Sequence, residues 1–448
     1  MTKLFGTDGI RGKANEHPMV PELLLRVGRA VAYVAGRGKA HAPRVLIGKD
    51  TRLSGYMIET ALASGICAMG GRVILCGPVP TPAVAHLTVD MRADAGIVIS
   101  ASHNPYDDNG VKIFGPDGFK LPSELEDEIE RLAQKDGLVA TGSKIGRAEK
   151  QEDARGRYVV FAKRTFPQDL TLDGLRVVVD AAHGAAYRVA PMVLAELGAN
   201  VTAIGVKPNG TNINRECGAM HPEHVRAEVV HRGANMGIAL DGDADRVILV
   251  DEKGHVVDGD AVMSMCARRM KEEGTLRKHT VVATVMSNLG LERALGGMGI
   301  KLVRTQVGDR YVVEAMRKGG YNLGGEQSGH LVFLDHASTG DGIVAALQVL
   351  AVMLRSNKPL SELATNALER VPQLLHNVTL PSRKPLDRMR TLSTLTTKVE
   401  RDLGKTGRIL IRWSGTEPKL RIMLEGPNAK KLKTLASDLE AAARKDLS

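Results

Sequence analysis

Aromatic residues are scarce in this chain of 448 residues, of which Phe, Trp and Tyr make up 3%. Few rings are available on which the bases of single-stranded nucleic acid could stack, so the sequence disfavours that class of binding protein. The four cysteines form no C-x-x-C pair and have no histidine at zinc-site spacing, which predicts reduced and mostly buried thiols. A signal-peptide pattern and an apolar run of about 18 residues are also lacking. We therefore expect a cytoplasmic protein without a membrane partner.

Acidic residues are outnumbered, with 51 Asp and Glu against 61 Lys and Arg, which gives a net charge of +10. Such an excess fits either a nucleic-acid partner or small phosphorylated substrates that are drawn into a positive cleft. Hydrophobic residues at 43% and charged residues at 25% are typical of folded domains. This composition excludes a largely disordered chain and a collagen-like one.

The strongest pattern is an arrangement that occurs three times, in which short β-branched runs alternate with helical stretches. Such alternation predicts βαβ units with largely parallel sheets. The end of the chain differs, because two strand-like runs flank a polar loop and a helix-patterned tail follows them. The strand-like runs of the three repeats cover residues 44–52, 71–77 and 95–100, then 175–180, 198–204 and 236–240, then 280–285, 299–304 and 321–324.

These patterns predict an α/β protein with three related mixed α/β domains and a smaller α+β C-terminal domain around one central cleft. Residues 135–156 are rich in Gly, Lys, Glu and Ser, which is typical of a linker after the first domain. The predicted boundaries are 1–155, 156–256, 257–370 and 371–448.

A polar loop follows the third strand of every repeat, at residues 100–105, 241–246 and 325–330. In open parallel sheets, ligands bind beyond the carboxyl ends of the strands. Since a hydroxyl loop, a carboxylate loop and a hydrogen-bonding loop occupy equivalent places, we expect one shared cleft and therefore an enzyme.

Asp241, Asp243 and Asp245 follow directly after an apolar strand, and their repulsion would be unfavourable there without a cation. Oxygen ligands favour Mg²⁺. A solvated acidic turn is the alternative. A calcium EF-hand does not fit, because Arg246 stands where that loop needs glycine and residues 247–250 are apolar.

Ser102 lies beside His103 in a loop that Asn104-Pro105 tightens. Taken alone, this segment is more typical of a turn than of a nucleophile, and no G-x-S-x-G elbow supports an esterase. Beside a metal loop, however, a phosphorylated Ser102 would supply oxygen ligands that complete a Mg²⁺ shell.

The last domain carries a polar loop from Arg412 to Pro418, followed by Arg421. Glycine-freed backbone amides, two hydroxyls and two guanidinium groups make a good cradle for an anion. A hairpin loop with exposed arginines explains the same residues, and the sequence leaves both interpretations open.

Taken in order, these four loops resemble those of the α-D-phosphohexomutase superfamily, and the resemblance covers essentially the whole chain. It implies a phosphoserine loop at Ser102, a Mg²⁺ loop at 241–245, a sugar loop at 326–330 and a phosphate loop at 412–421. The opening FGTDGIRG at residues 5–12 and Gln327 of GEQSGH are similar to the bacterial branch that acts on glucosamine phosphate. Phosphomannomutase/phosphoglucomutase enzymes usually carry Met at the Gln327 position.

The resemblance implies an isomerase-class enzyme that interconverts glucosamine 6-phosphate and glucosamine 1-phosphate, on the route to UDP-N-acetylglucosamine and the cell wall. Phosphorylated Ser102 and glucosamine 1,6-bisphosphate would be its intermediates, with one Mg²⁺ per chain. A kinase or the bisphosphate would first phosphorylate Ser102, and a homodimer is possible. A mutase for glucose or mannose phosphates and a basic nucleic-acid-binding protein are the alternatives, although we expect no nucleic-acid partner.

The same resemblance assigns roles to individual residues. Ser102 would be both the modified residue and a metal ligand beside Asp241, Asp243 and Asp245. The candidates for acid/base or charge-stabilising roles are Arg11, Lys112 and His330. The substrate-binding residues would be Glu326, Ser328 and His330 for the sugar, and Arg412, Ser414, Gly415, Thr416 and Arg421 for the non-reacting phosphate. Trp413 departs from the usual pattern but leaves the Ser-Gly-Thr segment after it intact.

Overall fold

Sheets of seven, five, four and three strands succeed one another along the part of the chain that is described. The computed structural model describes residues 3–6, 8–134, 144–414 and 419–447. Three mixed α/β units are followed by a smaller α+β unit, so the predicted fold class is confirmed. The predicted domain boundaries stay predictions.

The first unit is built on a mixed sheet, with the strands β1 Phe5–Gly6, β2 Gly9–Lys13, β3 Arg44–Lys49, β4 Arg72–Pro78, β5 Ala95–Ile99, β6 Asp108–Phe114 and β7 Ala148–Lys150. These lie in the order β1-β2-β6-β5-β3-β4-β7, in which β5, β3, β4 and β7 are parallel. The helices are α1 Pro21–Gly36, α2 Gly55–Ala68, α3 Thr81–Asp90 and α4 Ser123–Ala133.

Part of the predicted linker belongs to this first sheet. Residues 135–143 lie outside the described residues, but β7 pairs with β4 along the sheet edge. The strand consists of Ala, Glu and Lys and is largely exposed. Because a short polar edge strand has no apolar run, hydrophobic patterning did not predict it.

The second unit contains the strands β8 Arg176–Asp180, β9 Asn200–Ile204, β10 Met236–Leu240, β11 Val247–Asp251 and β12 Val256–Val257. Its helices are α5 Ala154–Arg164, α6 Val189–Glu196 and α7 Glu223–Arg232. The strand order is β12-β11-β10-β8-β9. Strands β9, β8 and β10 are parallel, whereas β11 runs antiparallel to β10.

The third unit contains the strands β13 Thr280–Thr284, β14 Lys301–Thr305, β15 Leu323–Gly325 and β16 Leu331–Phe333, in the order β14-β13-β15-β16. Its helices are α8 Gly259–Glu272, α9 Leu289–Gly297, α10 Asp309–Gly319, α11 Gly342–Ser356 and α12 Leu360–Thr365. The fourth unit is antiparallel, with β17 Gln373–Thr379, β18 Arg408–Trp413 and β19 Lys419–Glu425 beside α13 Arg390–Leu403 and α14 Ala429–Lys445.

The third strand of each repeat continues into an antiparallel strand. Strands β5, β10 and β15 pair with β6, β11 and β16 respectively. The sheets are therefore less purely parallel than the sequence predicted. Three of the four predicted functional loops, those at residues 100–105, 241–246 and 325–330, are therefore the connections of these antiparallel pairs.

Apolar packing joins the three α/β units and leaves the fourth with a cluster of its own. One cluster of buried side chains runs from Val84 through Val179 to Leu350. A separate cluster around Leu420 and Leu439 belongs to the last unit. The four cysteines are free and three of them are buried, as predicted. Among the described helices, none has the length and apolar character needed to cross a membrane.

A buried hydrogen bond fastens the second unit to the third. The Tyr158 hydroxyl on α5 donates to the Asp341 carboxylate at 2.9 and 3.0 Å. Asp341 also caps α11, because it accepts the backbone N–H groups of Ile343 and Val344. Burial raises the pKa of Asp341 to about 6, and these hydrogen bonds counteract the rise.

Removing the Tyr158 hydroxyl is expected to destabilise the contact between the second and third units. Tyr158→Phe should lower the free energy of unfolding by about 1–3 kcal/mol, because a buried carboxylate loses a donor. Urea unfolding followed by circular dichroism measures the change. The half-exposed Tyr33 on α1 offers a matched control, and Tyr33→Phe should leave the midpoint nearly unchanged. Equal midpoints for Tyr158→Phe and wild type would contradict the assignment.

Candidate active site

The loops that follow the third strands meet in one place. The Ser102 hydroxyl, in the β5–β6 loop, donates to Asp241 Oδ2 in the β10–β11 loop at 2.6 Å. The β10–β11 loop in turn contacts the β15–β16 loop through a bridge between Arg246 and His330. Residues from three separate domains therefore line one cleft.

Three buried carboxylates form the centre of this cleft. Asp241, Asp243 and Asp245 are 0%, 1% and 4% exposed, and their ligand oxygens lie within 4.8 Å of one another. Burial, followed by the charges of Asp245 and Asp243, raises the pKa of Asp241 well above its usual range. Buried Oδ1 atoms of Asp243 and Asp245 find no hydrogen-bond partner among the described residues. A hard divalent cation fits this set, since it would bind the free oxygens and offset their repulsion.

Glycine permits the serine loop to approach the carboxylate loop. A Cβ atom at Gly242 would lie 2.6 Å from the carbonyl oxygen of Ser102, which is closer than real side chains come. Ala244 adopts a left-handed backbone with φ 58°, and its N–H closes the turn onto the Asp241 carbonyl. The alternation of carboxylates thus folds into a tight turn against Ser102.

Lys112, one of the predicted acid/base candidates, stands beneath the carboxylates on β6. Its ammonium lies 3.0 Å from Asp243 Oδ2 and 3.2 Å from Asp245 Oδ2. Burial alone would lower the pKa of Lys112, but these two carboxylates raise it well above its usual value. The Lys112 side chain therefore remains charged. Of its two predicted roles, acid/base catalysis and charge stabilisation, this favours charge stabilisation.

A network of alternating charges extends from Lys112 into the third domain. Lys112 also pairs with Asp8 at 3.3 Å, and Asp8 pairs with Lys120. Lys120 then reaches Asp309 Oδ2 at 2.5 Å. Sequence reasoning missed Asp8, Lys120 and Asp309 as site residues. Asp8 belongs to the FGTDGIRG segment, whose resemblance to the family could have indicated it. Lys120 lies in a loop without any such motif.

His330 is buried between two acidic groups. Its Nδ1 lies 3.7 Å from Asp245 Oδ1, and its Nε2 lies 3.7 Å from Asp309 Oδ2. Burial would lower the pKa of His330, but Asp245, Asp309 and Glu326 together raise it above the usual value. His103, beside Ser102, behaves oppositely. Burial together with Arg246 and Arg11 lowers the pKa of His103 to about 4, so this ring stays neutral.

Three basic side chains of the cleft each keep one nitrogen without a hydrogen-bond partner among the described residues. The Nε atoms of Arg11 and Arg246 and the Nε2 atom of His330 are buried and have no hydrogen-bond partner among the described residues. A bound phosphate would satisfy such donors. Sequence reasoning named Arg11 and His330 but missed Arg246, although it directly follows the metal loop.

The predicted sugar loop is preorganised by its own hydrogen bonds. Glu326 accepts the Gly308 N–H at 3.1 Å, and the Ser328 hydroxyl donates to Glu326 at 3.3 Å. The Gln327 amide instead donates to Asp258 at 3.3 Å, near the start of α8. Glu326 and Ser328 thus form a polar pair beside His330.

The predicted phosphate loop is described only in part. Arg412 and Arg421 face each other across β18 and β19, and the Arg421 guanidinium donates to the Ser414 hydroxyl at 3.4 Å. Burial, followed by the charge of Arg421, lowers the pKa of Arg412. Gly415 and Thr416 lie outside the described residues.

Four models of the phosphoglucomutase/phosphomannomutase family match the chain in the same order. They cover α/β/α domain I at residues 2–139, domain II at 157–254, domain III at 258–371 and the C-terminal domain at 364–442. The chain therefore belongs to this family of phosphohexomutases, as its four loops predicted.

One curated relative indicates the branch of the family to which the chain belongs. The phosphoglucosamine mutase of Sorangium cellulosum (strain So ce56) is 66% identical over 448 residues, which are 99% of this chain and 93% of the relative. The chain thus falls in the phosphoglucosamine mutase branch, and the phosphomannomutase/phosphoglucomutase alternative is not favoured.

Solved structures share the fold over nearly the whole chain. A phosphoglucomutase/phosphomannomutase family protein from Burkholderia thailandensis matches with a TM-score of 0.82 at 23% identity, over 99% of this chain and 97% of that one. The N-acetylphosphoglucosamine mutase of Aspergillus fumigatus, solved in complex with GlcNAc-6P and magnesium, matches with a TM-score of 0.68 at 18% identity. It covers 99% of this chain and 96% of its own.

Mg²⁺ is expected to raise the melting temperature of the wild type, because a ligand that binds only the folded state stabilises it. Asp243→Asn should lose most of this increase, since one of the three carboxylates becomes a neutral amide. Asp107 is an exposed carboxylate in the same loop as Ser102, and Asp107→Asn should retain the increase in melting temperature. A thermal shift assay with and without MgCl₂, supported by calorimetric titration, provides the readout. An undiminished response of Asp243→Asn would place the ion elsewhere.

Proposed function

We propose that this protein interconverts D-glucosamine 6-phosphate and α-D-glucosamine 1-phosphate through a phosphorylated Ser102. The observation that carries the proposal is the 2.6 Å contact between the Ser102 hydroxyl and Asp241 inside the carboxylate cluster. It occurs in a chain that is 66% identical to a phosphoglucosamine mutase. The product would feed the synthesis of UDP-N-acetylglucosamine and of the cell wall, and we expect the enzyme to act in the cytoplasm.

The reaction consists of two phosphoryl transfers. In the first, the bond between phosphorus and Ser102 Oγ breaks while phosphorus bonds to the free O1 of glucosamine 6-phosphate. The O1 proton leaves to the site, and the released Ser102 oxygen ends as a hydroxyl. Glucosamine 1,6-bisphosphate then reorients in the cleft. In the second transfer, the Ser102 hydroxyl gives up its proton and Oγ bonds to the phosphorus on O6, while the bond between that phosphorus and O6 breaks and O6 takes up a proton. Glucosamine 1-phosphate is released, so that atoms and charge balance over the cycle.

Asp241, Asp243, Asp245 and Ser102 would hold one Mg²⁺, which when bound offsets the charge of the phosphoryl group in transfer. The Aspergillus fumigatus enzyme, whose structure was solved with magnesium, supports this choice of ion. Lys112 remains protonated below the cluster and lowers the pKa of Asp245, so that this carboxylate is ready as a ligand.

The charge that develops on the phosphoryl oxygens would be met by Arg11, Arg246 and His330, each of which keeps one buried nitrogen without a hydrogen-bond partner among the described residues. Donors that are already in place stabilise a transition state without reorganisation. Because its pKa is raised, His330 keeps its proton to higher pH than an ordinary histidine. We propose His330 as the general acid and Arg11 as a charge-stabilising residue.

The remaining loops would position the sugar phosphate. Glu326 and Ser328 would accept and donate hydrogen bonds to sugar hydroxyls, while the fourth domain would hold the non-reacting phosphate. Its donors would be Arg412, Ser414, Gly415, Thr416 and Arg421. The first phosphate on Ser102 would come from a kinase or from glucosamine 1,6-bisphosphate, and a homodimer stays a prediction.

Removing the proposed phosphoryl carrier tests the mechanism directly. Ser102→Ala should abolish mutase activity, because no side-chain oxygen remains to accept the phosphoryl group. Intact-mass analysis should find one phosphate on part of the wild type and none on the variant. Ser64→Ala, an exposed serine on α2, is the matched control and should behave as wild type. Full activity of Ser102→Ala would overturn the phosphoserine mechanism.

A comparison of three sugars tests the substrate. Glucosamine 6-phosphate should give a higher kcat/KM than glucose 6-phosphate or mannose 6-phosphate, since a site built to hydrogen-bond the 2-amino group discriminates against sugars that carry a hydroxyl at C2. Initial rates with each substrate, with the matching 1,6-bisphosphate present, give the ratio. Equal or better use of glucose 6-phosphate would reject the amino-sugar assignment while leaving the phosphohexomutase class intact.

A further inference from the structure

The carbonyl oxygen of Ser102 is held from two domains at once. Arg52 Nη2 of the first domain donates to it at 2.9 Å, and Asn214 Nδ2 of the second domain donates to it at 2.8 Å. The same two nitrogens reach the carbonyl of Asn104, at 2.9 and 3.0 Å. Two carbonyls of the serine loop therefore share one pair of donors.

Arg52 is committed entirely to this loop and its base. The side chain has no exposed surface, and its Nε donates to Asp50 Oδ2 at 2.8 Å. Its Nη1 donates to the carbonyls of Pro105 and Asp108, while its Nη2 serves Ser102 and Asn104. All five guanidinium N–H groups thus donate hydrogen bonds, which hold the serine loop against the rest of the first domain.

The serine needs such support because its backbone is unfavourable. Ser102 has φ 52°, in the left-handed region that residues with a Cβ atom rarely adopt. Its N–H donates to the Ser100 hydroxyl at 2.9 Å, and the two donors above hold its carbonyl. In this conformation the Ser102 hydroxyl is directed at Asp241.

Asn214 is itself fixed by the second domain. It is 8% exposed, and its backbone N–H donates to the Ala182 carbonyl at 2.9 Å. Asp180, at the end of β8, accepts the N–H groups of Ala182 and Gly218 and so anchors both sides of this turn. Asn214 has φ 58°, a conformation that asparagine tolerates better than most residues.

We propose that Asn214 is a positioning residue for phosphoryl transfer, through which the second domain fixes Ser102 relative to the carboxylate loop that this domain also carries. Arg52 holds the same carbonyl from the first domain, so Asn214 supplies the link across the interface. A displacement of about 1 Å in a reacting group can cost roughly 100-fold in rate. The inference rests on the proposed function.

Two variants of Asn214 distinguish the effect of its side-chain donor from the effect of its backbone conformation. Asn214→Asp keeps the shape and the tolerance of a left-handed backbone, but it turns a carboxylate oxygen toward two carbonyls. Asn214→Gly removes the side chain and relieves the backbone. Glu216→Gly is the matched control, because Glu216 is exposed in the same loop and has φ 55°.

The experiment measures kcat and KM for glucosamine 6-phosphate with glucosamine 1,6-bisphosphate in excess, and expresses rates per phosphorylated enzyme from intact mass. Asn214→Asp should lower kcat by roughly 10- to 100-fold, and Asn214→Gly by less, because misplacement of the reacting oxygen affects the chemical step. KM should stay unchanged in both, since no contact with the substrate is removed. Glu216→Gly should match wild type.

Several results would overturn the inference. A kcat equal to that of wild type in both variants, even with a lower melting temperature, would make Asn214 a structural residue only. A raised KM with an unchanged kcat would make it a substrate-binding residue. If Asn214→Asp does not fold, Asn214→Gly alone decides between these outcomes. A wild type that is inactive on glucosamine 6-phosphate would instead contradict the proposed function.

Discussion

Mutual repulsion among Asp241, Asp243 and Asp245 is the constraint on which the rest of the site depends. Three carboxylates within 4.8 Å, all nearly inaccessible to solvent, are unfavourable unless opposite charge is brought to them. Lys112 arrives from the first domain and His330 from the third. The charges that counter the carboxylate loop therefore come from both neighbouring domains, in addition to the cation that the loop would bind.

Charge alternates outward from this centre. Lys112 is followed by Asp8, then Lys120 and then Asp309, so that the first and third domains are joined by ion pairs beside the cleft. The net charge of +10 describes this arrangement poorly, because buried acids and bases are interleaved there. What suits the cleft to phosphate is a small set of buried donor nitrogens without partners among the described residues.

The fourth domain stands apart in its packing. Its apolar cluster around Leu420 and Leu439 is separate from the one that joins the α/β units. A bisphosphate that must reorient between two half-reactions needs a cleft that can open. Conformational steps of this kind often limit kcat. The apolar core of the fourth domain is separate from the packing around the carboxylates, and hydrogen bonds such as those from Arg408 to Ser287 and from Leu289 to Glu425 join it to the third domain.

Local patterns in the sequence predicted most of the strands, the order of four loops and the cluster of three aspartates, while the role of Ser102 came from the resemblance of those loops to a known family. These features depend on neighbours along the chain: β-branched runs form strands, and carboxylates at alternate positions after a strand fall in one turn. Contacts between distant residues were decided only by the tertiary structure. Nothing near Asn214 in the sequence indicates that it reaches Ser102, 112 residues away. The same reason applies to Arg52, Lys120, Arg246 and Asp309, which sequence reasoning missed, because their partners are distant along the chain and come together only in the folded structure.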